Sequence, residues 1–114
     1  MNAVDPVIIA ERAQPGAVEL ELAIPHDLLY FRGHFPGVPV LPGVVQVHWA
    51  MQFARTRLDV PGEFAGIEGL KFQQVVVPGQ AVSLLLEYRA DRGSLSFCYS
   101  SAAGTHSRGR ILNR

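Results

Sequence analysis

His34 opens the most chemically suggestive stretch of this chain. It sits in the run Phe31-Arg-Gly-His-Phe-Pro-Gly-Val-Pro-Val-Leu-Pro-Gly43. Pro36, Pro39 and Pro42 fix φ there, while Gly33, Gly37 and Gly43 permit turns and close approaches that other residues resist. The run reads as a stiff loop. From Val44 to Val60 neither Gly nor Pro interrupts the sequence, which is enough for about four helical turns. The loop therefore ends on a helix N-terminus, where unsatisfied N–H groups and the positive end of the macrodipole gather. A histidine base aimed at such an oxyanion site is what proton abstraction beside a carbonyl requires.

The elements that must position these groups follow from pattern. Pro6 to Arg12, with Val7, Ile8 and Ile9, predicts a short strand. After the Pro15-Gly16 turn, Val18, Leu20, Leu22 and Ile24 alternate with Glu19, Glu21 and Ala23, a strand with one buried face that Pro25 ends. Asp27 is placed to cap a short turn from Leu28 to Phe31. On the helix, Val44, Val47, Met51, Ala54 and Leu58 form one apolar stripe, and Val45, Trp49 and Phe53 a second. A helix apolar over most of its circumference is expected to be buried, as if wrapped by a sheet. Pro61-Gly62 closes it. Strands are then expected over Phe64 to Val77, Ala81 to Ala90, Leu95 to Ala102 and Thr105 to Ile111, with turns at Pro78-Gly79-Gln80, Arg92-Gly93 and Gly104. Short turns between successive strands argue for antiparallel pairing. The expected class is α+β: an antiparallel sheet around one central helix, in one domain spanning residues 1–114.

Composition narrows the function classes. Ten basic residues, nine of them Arg, balance ten acidic ones, so charge gives no argument for nucleic acid or a membrane surface. No apolar run approaches the roughly 20 residues of a membrane span, and the N-terminus lacks a signal-peptide pattern, so a cytoplasmic protein is expected. The single cysteine, Cys98, lies between Phe97 and Tyr99 in a strand and reads as packing. His26 and His106, on a loop and an edge-like strand, have no partner at ligand spacing and read as surface residues; no metal site is expected. At 114 residues the chain buries a limited share of its surface, so self-association is expected.

Gly33-His34-Phe35-Pro36-Gly37-Val38-Pro39-Val40-Leu41-Pro42-Gly43-Val44 closely resembles the G-H-F-P-G-x-P-[IV]-[ML]-P-G-V signature of the FabZ- and FabA-type 3-hydroxyacyl-acyl-carrier-protein dehydratases, which have the hotdog fold. The resemblance continues through the helix into Gly69-Leu70-Lys71-Phe72 and Val77-Pro78-Gly79, similar to that family's K-F-x-x-x-V-x-P-G-D. Leu28, Tyr30-Phe31, Val44-Val45-Gln46 and Trp49-Ala50 look most like the short dehydratase-like proteins of aryl-polyene clusters. By position, the resemblance implies that His34 is the base taking the α-proton of a 3-hydroxyacyl thioester. It implies that the Gly43 N–H receives the thioester oxygen, and that the Val40 carbonyl holds the other imidazole nitrogen. Gln52 matches a glutamine one turn beyond the family's acid, and Phe35 and Pro42 fall among substrate-binding or orienting positions. The implied reaction needs no cofactor. Its implied partners are an acyl carrier protein and a second subunit.

One position departs from the signature. Fourteen residues after the histidine, where the family carries Glu or Asp, this chain has His48. Gln80 likewise replaces the aspartate of P-G-D. Imidazole exchanges protons near neutrality, so His48 could protonate the departing hydroxyl. Three readings stay open: an active homodimer using His48, a non-catalytic carrier-binding subunit, and a heterodimer whose related partner supplies a carboxylate. A hotdog acyl thioesterase is weaker, because no Asp or Glu lies between Gly43 and Leu58.

Overall fold

The computed structural model describes residues 5–27 and 40–113. Two strands come first, β1 (Val7–Gln14) and β2 (Ala17–Ala23), then the helix α1 (Gly43–Arg57). Four strands follow: β3 (Phe64–Phe72), β4 (Ala81–Arg89), β5 (Ser94–Ser101) and β6 (Gly104–Asn113). All pairings are antiparallel, in the order β1-β2-β4-β5-β6-β3.

Period-two alternation becomes rows of side chains across this sheet. Leu20, Leu84, Tyr99 and Ser107 stand opposite one another on successive strands, as do Val18, Leu86, Phe97 and Gly109. Gly109 is a close-approach glycine, since a Cβ there would meet the Phe97 ring at 3.0 Å. These inward residues form the core with Val45, Val47, Trp49, Ala50 and Ala54 of the helix. Phe97 and Tyr99 meet edge to face, their centroids 6.1 Å apart. The Tyr99 hydroxyl donates to the Gln46 carbonyl at 2.7 Å, joining sheet to helix.

Three expectations need correction. The strand expected from Phe64 to Val77 stops at Phe72, and β3 does not pair with its successor β4 but with β6, at the far edge. Gly69, at φ +63°, sits in a register shift between Glu68 and Lys71. Past Phe72 the backbone leaves the ladder: Gln73 N and Gln74 N both donate to His106 O, and Val76 becomes fully buried. Secondly, the helix is buried on one side only. The sheet supplies one layer, so Val44, His48 and Gln52, spaced one turn apart, point away from it and are exposed, Val44 at 75%. Thirdly, His106 is a core residue. β6 is an inner strand, and the register shifts so that Tyr99 opposes Ser107 while Ser100 opposes Thr105. His106 is the extra residue of that bulge, and both it and Ser107 are buried.

Among the described residues no helix is long and apolar enough to cross a membrane. Cys98 is half-buried on β5.

Two outcomes follow for stability. Leu84→Ala removes a fully buried side chain and should cost about 2–5 kcal/mol in denaturant unfolding, whereas Val44→Ala should stay within about 0.5 kcal/mol. Burial pushes the Tyr99 phenol well above its ordinary value of 10.0. The unfolded chain then releases a proton that the folded one keeps, so stability should fall as pH rises above about 10. Tyr99→Phe should remove that part of the alkaline loss and cost about 0.5–1.5 kcal/mol at neutral pH through the missing hydrogen bond. Denaturant midpoints measured across pH check both.

Candidate active site

Helix α1 starts on Pro42, which has φ −59° and ψ 143° and offers no side-chain oxygen as a cap. Its carbonyl accepts from Val45 N at 3.1 Å and Gln46 N at 3.3 Å. The helix itself gives the Gly43 and Val44 N–H groups no partner, and the first turn carries no acidic residue. The positive end of the helix dipole is thus left for an oxygen from outside.

That end opens on a cavity of about 460 Å³, walled by Val40, Pro42, Gly43, Val44, Phe72 and Val75. The Phe72 ring leans so close to Gly43 that a Cβ there would run into it. A larger residue at position 43 would have to push that exposed ring aside. The walls are mostly apolar, which suits an acyl chain and raises the strength of any hydrogen bond made inside.

The start of the helix is held from two directions. Leu41 N donates to Val76 O at 2.7 Å, tying the incoming loop to the crossing segment after β3. The buried Gln46 side chain donates through Nε2 to Leu41 O at 3.3 Å, and its Oε1 accepts from Ser107 Oγ at 2.6 Å. The crossing segment is anchored in turn by His106. With Nδ1–H donating to Val75 O at 3.0 Å, the ring's Nε2 accepts from Ser101 Oγ at 2.6 Å. Gln80 Nε2 lies 3.4 Å from the same ring nitrogen, and Gln80 Oε1 accepts from Val77 N.

Of the sequence-derived candidates, Val40, Pro42 and Gly43 come together at this cavity. His34 and Phe35 lie outside the described residues. His48 and Gln52 do not line it; they occupy the outward face of the helix, and Gln52 borders a separate depression with Asp5, Pro6 and Phe53. His26 is exposed, its ring 2.6 Å from where a Gly79 Cβ would stand. Sequence reasoning missed Gln46, Ser107 and Phe72 as site residues and misread His106. A signal existed for Gln46: a lone amide between Val45 and Val47 on an apolar helix needs buried partners. Among the described residues no group of three or more His, Cys, Asp or Glu could hold a metal.

This geometry has close counterparts. The model of the ApeI-like family, described as ApeI dehydratase, matches residues 10–110. The dehydratase heterocomplex ApeI:P from Xenorhabdus doucetiae superposes with a TM-score of 0.90 at 34% identity, covering 97% of this chain and 100% of that one. A protein from Erwinia carotovora subsp. atroseptica does so with a TM-score of 0.85 at 38% identity, covering 96% and 95%. The 3-hydroxyacyl-[acyl-carrier-protein] dehydratase FabZ of Erythrobacter litoralis is 39% identical over 72 residues, 55% of this chain and 48% of that protein. The chain spans about half the length of the curated relatives it matches. With a match over nearly its whole length and a hotdog architecture of six antiparallel strands and one helix, the chain belongs to the ApeI-like dehydratase family.

Proposed function

We propose that this chain is a subunit of a 3-hydroxyacyl-[acyl-carrier-protein] dehydratase, releasing water to leave a trans-2-enoyl thioester. The observation that carries the reading is the uncapped start of α1, at Gly43, opening on an apolar cavity within a family match to residues 10–110. A thioester carbonyl seated there would accept from the Gly43 N–H. His34 takes the α-proton while the carbonyl oxygen gains negative charge, with the Val40 carbonyl holding the second imidazole nitrogen. The electron pair then forms the carbon–carbon double bond, the C–OH bond breaks, and an imidazolium at His48 of the neighbouring subunit gives its proton to the departing hydroxyl. Gln52 orients that imidazole or a water, and Phe35 and Pro42 wall the acyl path. No cofactor takes part.

Pairing of subunits is supported by two surfaces. His48 is exposed and does not line the Gly43 cavity of its own subunit. The sheet also ends on β3, whose outer residues Ile67, Leu70 and Phe72 are 40–51% exposed, an apolar edge with unused backbone groups. A homodimer along this edge would bring outward-facing groups of one subunit toward the other. A heterodimer is favoured by a specific observation: the Xenorhabdus doucetiae relative was solved as a heterocomplex, and here His48 stands where the dehydratase signature has a carboxylate. In that arrangement a related chain supplies the acid opposite His34.

Turnover of a 3-hydroxyacyl carrier protein, followed through the ultraviolet absorbance of the enoyl thioester, tests the roles. His34→Asn should lower the rate about 10²–10⁴-fold, and His48→Glu should restore or keep it. Full activity in His34→Asn would reject the mechanism. Native mass after co-expression with neighbouring genes separates a homodimer from a one-to-one heterodimer. Leu70→Glu should shift that mass to the monomer and abolish turnover; an unchanged mass would place the contact elsewhere.

A further inference from the structure

We infer that Gln46 is the positioning residue of the oxyanion site: its side-chain amide fixes the Leu41–Gly43 turn so that the Gly43 N–H points at the carbonyl of a bound acyl thioester. The inference rests on the proposed reading of Gly43. Gln46 has 3% of its surface exposed, in a helix turn otherwise filled by Val45 and Val47. A buried primary amide is costly unless both ends are used, and here both are. Nε2 donates to the Leu41 carbonyl, five residues back and immediately before the Pro42 cap. Oε1 takes the Ser107 hydroxyl at 2.6 Å, and the residue's own carbonyl takes the Tyr99 hydroxyl at 2.7 Å. Ser107 and Tyr99 stand opposite each other on β6 and β5.

The geometry is specific to this turn. Pro42 cannot donate a backbone hydrogen bond and has no side-chain cap, and its carbonyl, accepting from Val45 N and Gln46 N, holds the Pro42–Gly43 peptide to the helix axis. What places that turn against the crossing segment is Leu41 N to Val76 O on one side and Gln46 Nε2 to Leu41 O on the other. Both bonds act on the Leu41 peptide groups, two residues before the donor. Removing the amide donor leaves the apolar cavity walls in place and lets that turn shift against the crossing segment. Misdirection of one oxyanion donor is a kinetic defect before it is a folding defect.

Gln46→Met is the discriminating variant, since it keeps the side chain's length and removes its amide donor. Gln46→Glu is the rescue: burial holds its carboxyl protonated, so it donates to Leu41 O and still accepts from Ser107. Carbonyl-isotope-labelled butyryl-pantetheine, a saturated thioester that cannot react, serves as the infrared probe. In the wild type the bound carbonyl stretch should fall below its free value. In Gln46→Met it should return toward the free value, and in Gln46→Glu at pH 5.5 it should fall as in the wild type, with circular dichroism unchanged in both. Ser107→Ala, which frees Oε1, should move the band in the same direction as Gln46→Met by less. With 3-hydroxyacyl carrier protein, kcat of Gln46→Met should drop at least about tenfold with KM within about twofold. A wild-type band shift without any turnover would overturn the dehydratase reading and leave this inference standing. An unshifted wild-type band, or a Gln46→Met band identical to the wild type, would overturn the inference whatever the turnover.

Discussion

A helix whose cap is proline receives no side-chain cap, and in this chain its start is tied to the rest of the fold at a single residue, Leu41. Its N–H is taken by Val76 and its C=O by Gln46. Each of those partners is itself fixed: Val76 by burial, on a segment pinned to His106, and Gln46 by a serine hydroxyl on β6. The strands β5 and β6 thereby reach the helix start by two routes, and the cavity in front of Gly43 takes its shape from both. Hydrophobic burial places the helix on the sheet, but burial is non-directional. Hydrogen bonds with no competing water set which way the first turn faces.

The row Leu20–Leu84–Tyr99–Ser107 shows how sheet and site share one pattern. Its first half is apolar and packs in the core; its second half keeps the same inward direction but ends in hydroxyls that bond Gln46. The row changes chemistry as it approaches the helix start, while its backbone geometry remains that of an ordinary antiparallel ladder. A polar network inside a core is tolerated when each member finds a partner, and these do.

Much of this was legible in the residues. Alternation in Val18 to Ile24 and in Val82 to Tyr88 marked β2 and β4, and the Gly- and Pro-free run marked α1, which ends at Arg57, three residues before Val60. The position of β3 was not legible. Alternation says which face a residue takes, not which strand it pairs with, and the long chain from Phe64 to Val77 hid the departure at Phe72. His106 was misread for the same reason: the bulge that buries it with its neighbour Ser107 breaks the period of two. Val44 was assigned to the core by helical spacing, yet spacing cannot tell how much of a helix the sheet will cover. At the site, Gly43 was found through its motif, whereas Gln46 and Phe72 act through partners distant in sequence.

The bare rim of β3 also bears on how such a chain lives in a cell. A freshly made subunit presents Ile67, Leu70 and Phe72 beside an unpaired ladder, the kind of border that recruits whatever strand arrives first. Its survival then becomes a race between covering that border and being captured by chaperones, proteases or its own aggregates. For a shape of this kind, how soon the border is covered matters more than extra intrinsic stability.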